Sequence, residues 1–474
     1  MKRNRIKLIC MGLLLWQISL AGCGAQATDS QQVQVETKES AAEETEVDSV
    51  SAGTPEQMGS GADTEEANTE DTDATDSDSS AESEAIEAET IESEEEAAMQ
   101  EDRDPVHGIY LSAYVAGSPD LMESYITHLD ESAINAVVID IKNDEGRVTW
   151  ETGTEIVEEV GSTDCLIRDM PGLIENLHEH DIYVIGRFVT FREMYLKDVK
   201  PEWMVKNTDG SVYSDKKGFC WIDPTNEDAW RYIEEIVEAC TEVGFDEIQF
   251  DYVRYGTGIK DEMIGLDGAG RQQAITAFAA HMEEFFAQLK KPYSLDVFGT
   301  IINSDVDRKI VGQDYASLAE HTDYLSPMVY PSHYYDGSFG IAYPDEKPYE
   351  TVKNAMLESN RVLEESEDKS AQEENSQLCK AGVRPWIQGF TASYLSHYIK
   401  YGGEQIREQI RAIYEAGHEE WLIWNPSCKY PWEELTEEKL PQFEEIQEQI
   451  KEQQEKQEQP AELEQLSQEQ SAQE

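Results

Sequence analysis

The 474-residue sequence predicts an eight-stranded parallel (β/α)8 barrel, the TIM barrel, in its central part. Short apolar runs alternate with helix-like stretches, which is typical of βα units around a parallel sheet. Eight such runs occur between residues 108 and 425, as this barrel requires. An open doubly wound sheet, the main alternative, normally carries a glycine-rich phosphate turn after its first strand, whereas SAYVAGSPD has no GxGxxG motif.

The predicted strands are apolar runs of five to seven residues. They cover residues 108–114, 136–142, 183–189, 247–253, 293–299, 324–330, 385–390 and 421–425. The first helix-like stretch begins with Ser118 and Pro119, a capping residue followed by proline at the first helical position. We assign residues 105–435 to the barrel.

The segments on either side of the barrel are strongly acidic. The chain carries 37 Lys and Arg against 99 Asp and Glu, a formal net charge of −62. Residues 24–104 hold 27 acidic and two basic residues, so they are predicted to be a disordered linker. Residues 436–474 are rich in Glu and Gln and are predicted to be a helix that frays into a disordered tail. We expect no nucleic-acid binding, because such a chain repels phosphates.

The N-terminus resembles a bacterial lipoprotein signal. Four basic residues within the first seven precede an apolar run, Leu8 to Leu20, that is short for a membrane span. The run ends in Leu-Ala-Gly-Cys, which resembles a lipobox whose Cys23 is diacylated and becomes the mature N-terminus. We therefore interpret residues 1–23 as a lipoprotein signal and expect a lipid-anchored protein at the extracellular face of the cell membrane. The alternative is an ordinary secretory signal with a chance cysteine.

The remaining cysteines give no sign of a metal or redox centre. Five lie beyond the lipobox, at positions 165, 220, 240, 379 and 428, and none forms a CxxC pair. We expect mostly buried free thiols, with a single disulfide as the alternative. No cofactor is expected, and the acidic loops have no EF-hand pattern.

Polar side chains recur near the carboxyl ends of the predicted strands, where barrels of this kind carry their active sites. Residues two apart on a strand share a face, and buried polar groups are costly unless they converge and satisfy one another. The candidates on these faces, from the second strand to the eighth, are Asp140, Lys142, Arg187, Gln249, Asp251, Asp296, Tyr330, Gln388, Trp424 and Asn425.

Asp251 and Asp296 are the candidate catalytic residues. They lie at the ends of neighbouring strands, which suits glycoside hydrolysis: one carboxyl group donates a proton to the leaving oxygen while the other attacks or stabilises the cationic sugar. The other candidates are predicted to bind substrate, and stacking on sugar rings is a role for Trp150, Trp221, Tyr330, Tyr334 and Trp424. The alternative for the charged residues is structural ion pairing inside the barrel, of Asp140 with Lys142 or of Asp296 with Arg187.

Seven segments along the barrel, in order, carry a family resemblance. They are HGIYLSAY, VVIDIKNDEGRVTW, DIYVIGRFVTFRE, GFCWIDPTNEDAWRYIEEI, GFDEIQFDYVRY, SLDVFG and YLSPMVYPSHY. Over residues 106–432 the chain resembles the bacterial putative glycosyl hydrolase domain once catalogued as a domain of unknown function, DUF4015. The resemblance implies a barrel similar to amylase-like hydrolases, with an aspartate after the fourth strand, and a polysaccharide-related role. The chain departs from the amylase pattern at Asp296, where amylases use Glu, and at the seventh strand, which ends in IQGF rather than in a His-Asp pair.

Three hypotheses follow from the sequence. The first is an extracellular, lipid-anchored glycoside hydrolase that acts on a cell-wall or capsular polysaccharide. The second is a non-catalytic carbohydrate-binding lipoprotein with the same barrel mouth. The third is a structural wall-associated protein whose acidic flanks bind cations or partners. A carboxyl separation of about 5–10 Å at the mouth is what the first hypothesis requires.

Overall fold

The computed structural model describes residues 103–370 and 381–453. The predicted signal with Cys23, the linker up to residue 102, Cys379 and residues 454–474 lie outside these residues. In the part of the chain that is described, no helix has the length and apolar character needed to cross a membrane.

Eight parallel strands close into a barrel. They are β1 His107–Leu111, β2 Ala136–Lys142, β3 Tyr183–Val189, β4 Glu247–Asp251, β5 Tyr293–Phe298, β6 Tyr324–Met328, β7 Trp386–Gln388 and β8 Trp421–Trp424. Neighbours along the chain pair in parallel, β8 pairs with β1, and the contact of Trp386 with Met328 joins β7 to β6. The predicted (β/α)8 barrel is thus confirmed.

The predicted strand positions are correct, but several predicted carboxyl ends are too long. β4 ends at Asp251 rather than at residue 253, because Tyr252 adopts a left-handed backbone with φ of 54° that an L-residue in a strand does not take. β6 and β7 likewise end two residues early, since their last predicted residues belong to the loops of the mouth.

Helices connect successive strands. They are α1 Ala113–Ala116, α2 Pro119–Asp130, α3 Glu155–Val160, α4 Met170–His178, α5 Leu196–Val199, α6 Glu227–Val243, α7 Asp261–Ile264, α8 Gly268–Leu289, α9 Asp305–Val311, α10 Tyr315–Ala319, α11 Pro348–Ser370 and α12 Gly403–Glu415. Residues 443–453 are also helical. α6 shows why these segments are helices: its buried residues recur at helical spacing, at Ala229, Tyr232, Ile233, Ile236, Val237, Ala239 and Cys240.

Local signals set the helix ends. The Asn226 side chain accepts the Ala229 N–H to begin α6, which ends where Gly244 turns into the left-handed region with φ of 108°. α2 begins at Pro119 as predicted, although the Ser118 side chain makes no capping hydrogen bond.

The loops contain further short strands and helical turns. Arg192–Glu193 pairs antiparallel with Cys220–Trp221, and Gly382–Val383 adds to the edge of β6. Turns of 3-10 helix lie at Pro201–Trp203, Gly299–Ile302, Pro331–His333, Ser338–Gly340, Pro344–Glu346 and Trp432–Glu434.

The described cysteines are unpaired thiols. Cys220, Cys240 and Cys428 are buried, and Cys165 is exposed. The expectation of mostly buried free thiols is confirmed at these four positions.

Candidate active site

Arg187 is the centre of a charged cluster at the carboxyl end of the barrel. Its Nη1 donates to Asp140 Oδ1 at 2.7 Å, and its Nε and Nη2 donate to Asp251 Oδ2 at 3.0 and 2.6 Å. The strand register produces this arrangement, because Asp140 pairs with Arg187 across β2 and β3, and Val189 pairs with Asp251 across β3 and β4. A guanidinium group this deeply buried requires such charge partners.

Asp140 is fully engaged within the protein. Its Oδ2 accepts the Tyr110 hydroxyl at 2.6 Å, while its Oδ1 accepts from Arg187. Burial raises the pKa of Asp140 above its ordinary value, although Arg187 acts in the opposite direction. Asp140 therefore orients Arg187 and has little capacity left for other partners.

Asp144 joins the cluster from the loop after β2. It accepts Arg187 Nη2 at 3.4 Å and Arg192 Nη1 at 3.2 Å, and its side chain is about one third exposed. Burial opposes its ionised form, but Arg187 and Arg192 together hold the pKa of Asp144 below its ordinary value. Sequence reasoning missed this residue; the signal was its place directly after β2, in the segment NDEG.

Asp251 is held from two sides. Its Oδ2 faces Arg187, and its Oδ1 accepts the backbone N–H of Tyr252 at 2.6 Å. The left-handed turn at Tyr252 aims that N–H back at the carboxylate, and Arg192 fixes the turn by donating to the Tyr252 hydroxyl at 2.5 Å. The Asp251 side chain keeps 10% of its surface exposed, so it remains accessible from the mouth.

Asp296 lies beside Asp251 in a different environment. Phe250 pairs with Leu295, so the two aspartates follow at the same level on adjacent strands, which run about 4.7–4.9 Å apart. Asp296 Oδ1 accepts the Trp386 indole N–H at 2.7 Å. Burial, and then the charge of Asp251, raise the pKa of Asp296 well above its ordinary value. The proposed structural pair of Asp296 with Arg187 does not form, because Arg187 contacts the other three aspartates.

Lys142 does not reach this cluster. The β2–β3 register shifts between Asp140 and Lys142, and this bulge removes Lys142 from the face of Asp140. Its Nζ instead forms a fully buried ion pair with Glu193 Oε2 at 3.0 Å and donates to the Val189 carbonyl at 2.9 Å.

Three predicted substrate-binding amides are used by the protein itself. Gln249 donates to Ser326 Oγ at 3.3 Å inside the barrel. Gln388 accepts the Ser332 N–H and donates to Asp345 Oδ1, at 3.0 and 2.9 Å. The hydrogen bonds of Asn425 connect its own turn and the β7 loop, through Ser427, Lys429 and Gly389.

Of the predicted aromatic platform, Trp424 alone keeps a partly exposed ring. It lies 4.2 Å from the Tyr110 ring and 5.7 Å from that of Trp386, and the Arg187 guanidinium is 5.3 Å from its ring centre. The ring therefore borders the charged cluster. The other four pack in the core: Trp150, Trp221, Tyr330 and Tyr334.

A second polar cluster fills the opposite end of the barrel. Arg384 makes two hydrogen bonds with Glu247, at 2.9 and 3.0 Å, and Ser294 donates to the same carboxylate. Arg384 also binds Glu420, which in turn accepts from Arg103. Sequence reasoning missed this cluster. In this fold the amino end of the barrel serves stability, and we assign the cluster that role.

The carboxyl end of the barrel offers two carboxyl groups in contrasting surroundings. Asp251 is ion-paired to a buried guanidinium, while Asp296 is buried where its neutral form is favoured. Such a pair can combine a charged group with a proton donor. Among the side chains described, no group of three or more His, Cys, Asp or Glu is arranged to hold a metal ion.

Comparison with solved structures finds several proteins with low overall similarity. A hypothetical protein from Ruminiclostridium thermocellum is 32% identical, covering 40% of this chain and 97% of its own, with a TM-score of 0.35. The PgaB (BpsB) glycoside hydrolase domain from Bordetella bronchiseptica is 12% identical, covering 70% and 99%, with a TM-score of 0.48. The spore cortex-lytic enzyme SleL from Bacillus megaterium is 11% identical, covering 71% and 75%, with a TM-score of 0.41.

The family comparison is decisive for classification. No curated protein matches the chain in the sequence comparison. The family model described as "Putative glycosyl hydrolase domain" (DUF4015) matches residues 108–430, nearly the whole barrel, and confirms the resemblance noted in the sequence. The chain therefore belongs to this glycosyl hydrolase domain family.

Proposed function

We propose that the protein hydrolyses glycosidic bonds in a cell-wall or capsular polysaccharide, with Asp251 and Asp296 as the catalytic pair. The observation that carries this proposal is their placement: they lie at one level on adjacent strands but in opposite electrostatic surroundings. Membership of a glycosyl hydrolase domain family supports the reaction class.

The environments assign different roles to the two carboxyl groups. Asp251, ion-paired with Arg187, serves as the nucleophile or as the carboxylate that stabilises the cationic sugar. Asp296, whose neutral form is favoured by burial and by the charge of Asp251, donates its proton to the leaving oxygen. Asp140 positions Arg187, and the partly exposed ring of Trp424 is placed to stack on a sugar next to the charged cluster.

The cellular setting is part of the proposal. Cys23 carries the lipid anchor, the linker spans the distance from the membrane, and the barrel works at the extracellular face. The acidic segments support a partner other than nucleic acid, because they repel phosphates.

The test is release of reducing ends from a panel of bacterial and plant polysaccharides. Wild-type protein should cleave at least one of them, and Asp251→Asn should lower the rate at least about a hundredfold, as expected for loss of a catalytic carboxyl group. Asp228→Asn is the matched control, because it removes an exposed carboxylate on the outer helix α6. Thermal unfolding must show that both variants are folded.

Two outcomes would reject the proposal. Wild-type turnover by a folded Asp251→Asn variant would remove Asp251 from the chemistry. Binding without cleavage by the wild type would support the second hypothesis, a carbohydrate-binding lipoprotein. The small exposure of Asp296 is the observation that favours this alternative.

A further inference from the structure

The strongly exposed tyrosines of the described chain lie in the segments that follow the carboxyl ends of barrel strands, with Tyr114 in the short helix α1. Tyr114 follows β1, Tyr335 follows β6, and Tyr394 and Tyr398 follow β7; each is between 41% and 47% exposed. Trp424, at the end of β8, adds a partly exposed indole ring.

These exposed rings all lie on one half of the barrel mouth. β6, β7, β8 and β1 are consecutive in the closed barrel, so their loops form one continuous side, which we call the aromatic arc. It consists of Tyr335, Tyr394, Tyr398, Trp424 and Tyr114. The residues of the charged cluster come from the other side, on β2 to β5 and the loop after β2. Trp424 touches both halves through its contact with Arg187.

The exposed aliphatic residues have a different distribution. Leu121, Val199, Val306 and Leu357 lie on four separate helices, α2, α5, α9 and α11. Scattered exposed apolar residues need no explanation, whereas a group of exposed rings beside a site does. Exposed rings at neighbouring strand ends argue that the arc binds something flat and partly apolar.

The β6 and β7 loops, which carry three rings of the arc, are fixed to one another. Buried Asp345, in the β6 loop, accepts Gln388 Nε2 at 2.9 Å and the Ile399 N–H at 3.2 Å. The rings of Tyr343 and His397 stack with centres 3.7 Å apart, which adds a second contact between the same loops. A platform held in this way loses little conformational entropy when a ligand binds.

We propose that the aromatic arc binds successive sugar rings of a polysaccharide chain that runs from the charged half of the mouth across β8 and β7 to β6. The flat rings pack on the apolar faces of sugars. This inference rests on the proposed function and adds to it that the substrate is a long glycan cut at an internal bond.

The experiment measures polysaccharide binding independently of cleavage. Full-length Asp251→Asn protein is run in native gels containing soluble amylose, dextran, laminarin, chitosan or solubilised peptidoglycan strands, and a dissociation constant is obtained from the retardation. We expect at least one polymer to retard it, and its six-sugar fragments to bind at least about tenfold more tightly than its two-sugar fragments.

Variants of the arc identify the binding surface. In the Asp251→Asn background, Tyr394→Ala with Tyr398→Ala should weaken binding at least about tenfold, whereas Tyr394→Phe with Tyr398→Phe should retain it, because phenylalanine keeps the ring face. Leu357→Ala is the control, since it removes an equally exposed apolar side chain from the outer helix α11.

The failures of the two proposals can be told apart. The proposal that the aromatic arc binds a polysaccharide is rejected if no polymer retards the protein, if affinity does not grow with chain length, or if the alanine variant binds like its parent. If the polymers bind through the tyrosines but the wild type releases no reducing ends, the binding proposal is supported and the hydrolase proposal is rejected.

Discussion

At the scale of single residues, the environment of each carboxyl group decides its chemistry. Asp140, Asp144 and Asp251 share the charge of Arg187, whereas Asp296 has an indole N–H and a neighbouring negative charge. The pKa of Asp144 is therefore lowered, whereas the pKa values of Asp140 and Asp296 are raised. This contrast is what a pair of carboxyl groups needs to supply both an acid and a charged group.

The first prediction at this scale concerns Asp296 and pH. Its folded-state pKa is raised by burial and by Asp251, so the folded protein holds a proton that the unfolded chain releases near pH 3.9. The stability from this group is complete below that pH and is lost as the pH rises through the folded pKa. Asp296→Asn cannot titrate, so its free energy of unfolding relative to wild type should increase from pH 4 upward. Urea unfolding at several pH values measures this difference.

A control and a rate measurement complete this test. Asp228→Asn, on the exposed surface of α6, should follow the wild type at each pH. Hydrolysis by the wild type should decline as the pH rises through the folded-state pKa of Asp296, because the acid then loses its proton. If wild type and Asp296→Asn show parallel stability curves, Asp296 is already ionised when folded and is not the acid.

At the scale of elements, strand alternation and register bring the cluster together. The two-residue period correctly places Asp140, Arg187 and Asp251 within contact distance, although they come from three strands. The same rule fails at Lys142, because a bulge between β2 and β3 places the Lys142 side chain on a different face from that of Asp140.

The prediction at this scale concerns the connection between the β6 and β7 loops. Asp345→Ala removes the acceptor of the Ile399 N–H and one of the two acceptors of the Gln388 amide, which keeps the Phe390 carbonyl. The cost is about 1–3 kcal/mol for each buried donor that stays unsatisfied. We expect the Ile399 amide to exchange with deuterium faster and the polysaccharide to bind more weakly.

The neighbouring residue provides the control for this prediction. Glu346→Ala removes a half-exposed carboxylate whose contact with His397 is 3.9 Å long, and it should leave the exchange rate unchanged. Exchange at Ile399 that is equally slow in Asp345→Ala would show that the loops are held by other contacts, such as the Tyr343–His397 stack.

At the scale of the whole molecule, the barrel carries a charged cluster at each end. Glu247, Arg384 and Glu420 neutralise one another at the amino end, and Arg103, the first residue described, packs there against Glu420 and Tyr324. The chain therefore enters the barrel at the end opposite the candidate active site.

The prediction at this scale tests the lipid anchor. The prediction that residues 24–104 form a disordered linker implies a mean span of about 50 Å, which like charges would extend, so an anchored barrel would work within the wall. Cys23→Ser should release the protein from the membrane fraction into the medium, as measured by immunoblotting of both. Cys165→Ser, which removes an exposed thiol of the barrel, is the matched control and should remain anchored. Membrane retention of Cys23→Ser would contradict lipidation at this position.

The sequence by itself determined the barrel, the positions of its strands and the family. These features depend on local patterns, because apolar runs, helical spacing and motifs can be recognised from residues close together in the chain. It also placed Asp140, Arg187, Asp251 and Asp296 at one mouth, since strand alternation and the parallel direction of the strands suffice for that.

Only the tertiary structure decided which of these side chains contact one another. Asp144 enters the cluster because its loop folds back over Arg187, and Lys142 leaves it because of the bulge. Tyr330 and Gln388 pack and bond within the protein, while exposed tyrosines that sequence reasoning passed over form the aromatic arc. The physical reason is that burial and ion pairing depend on distances between strands and loops far apart in the chain, and local spacing does not specify these distances.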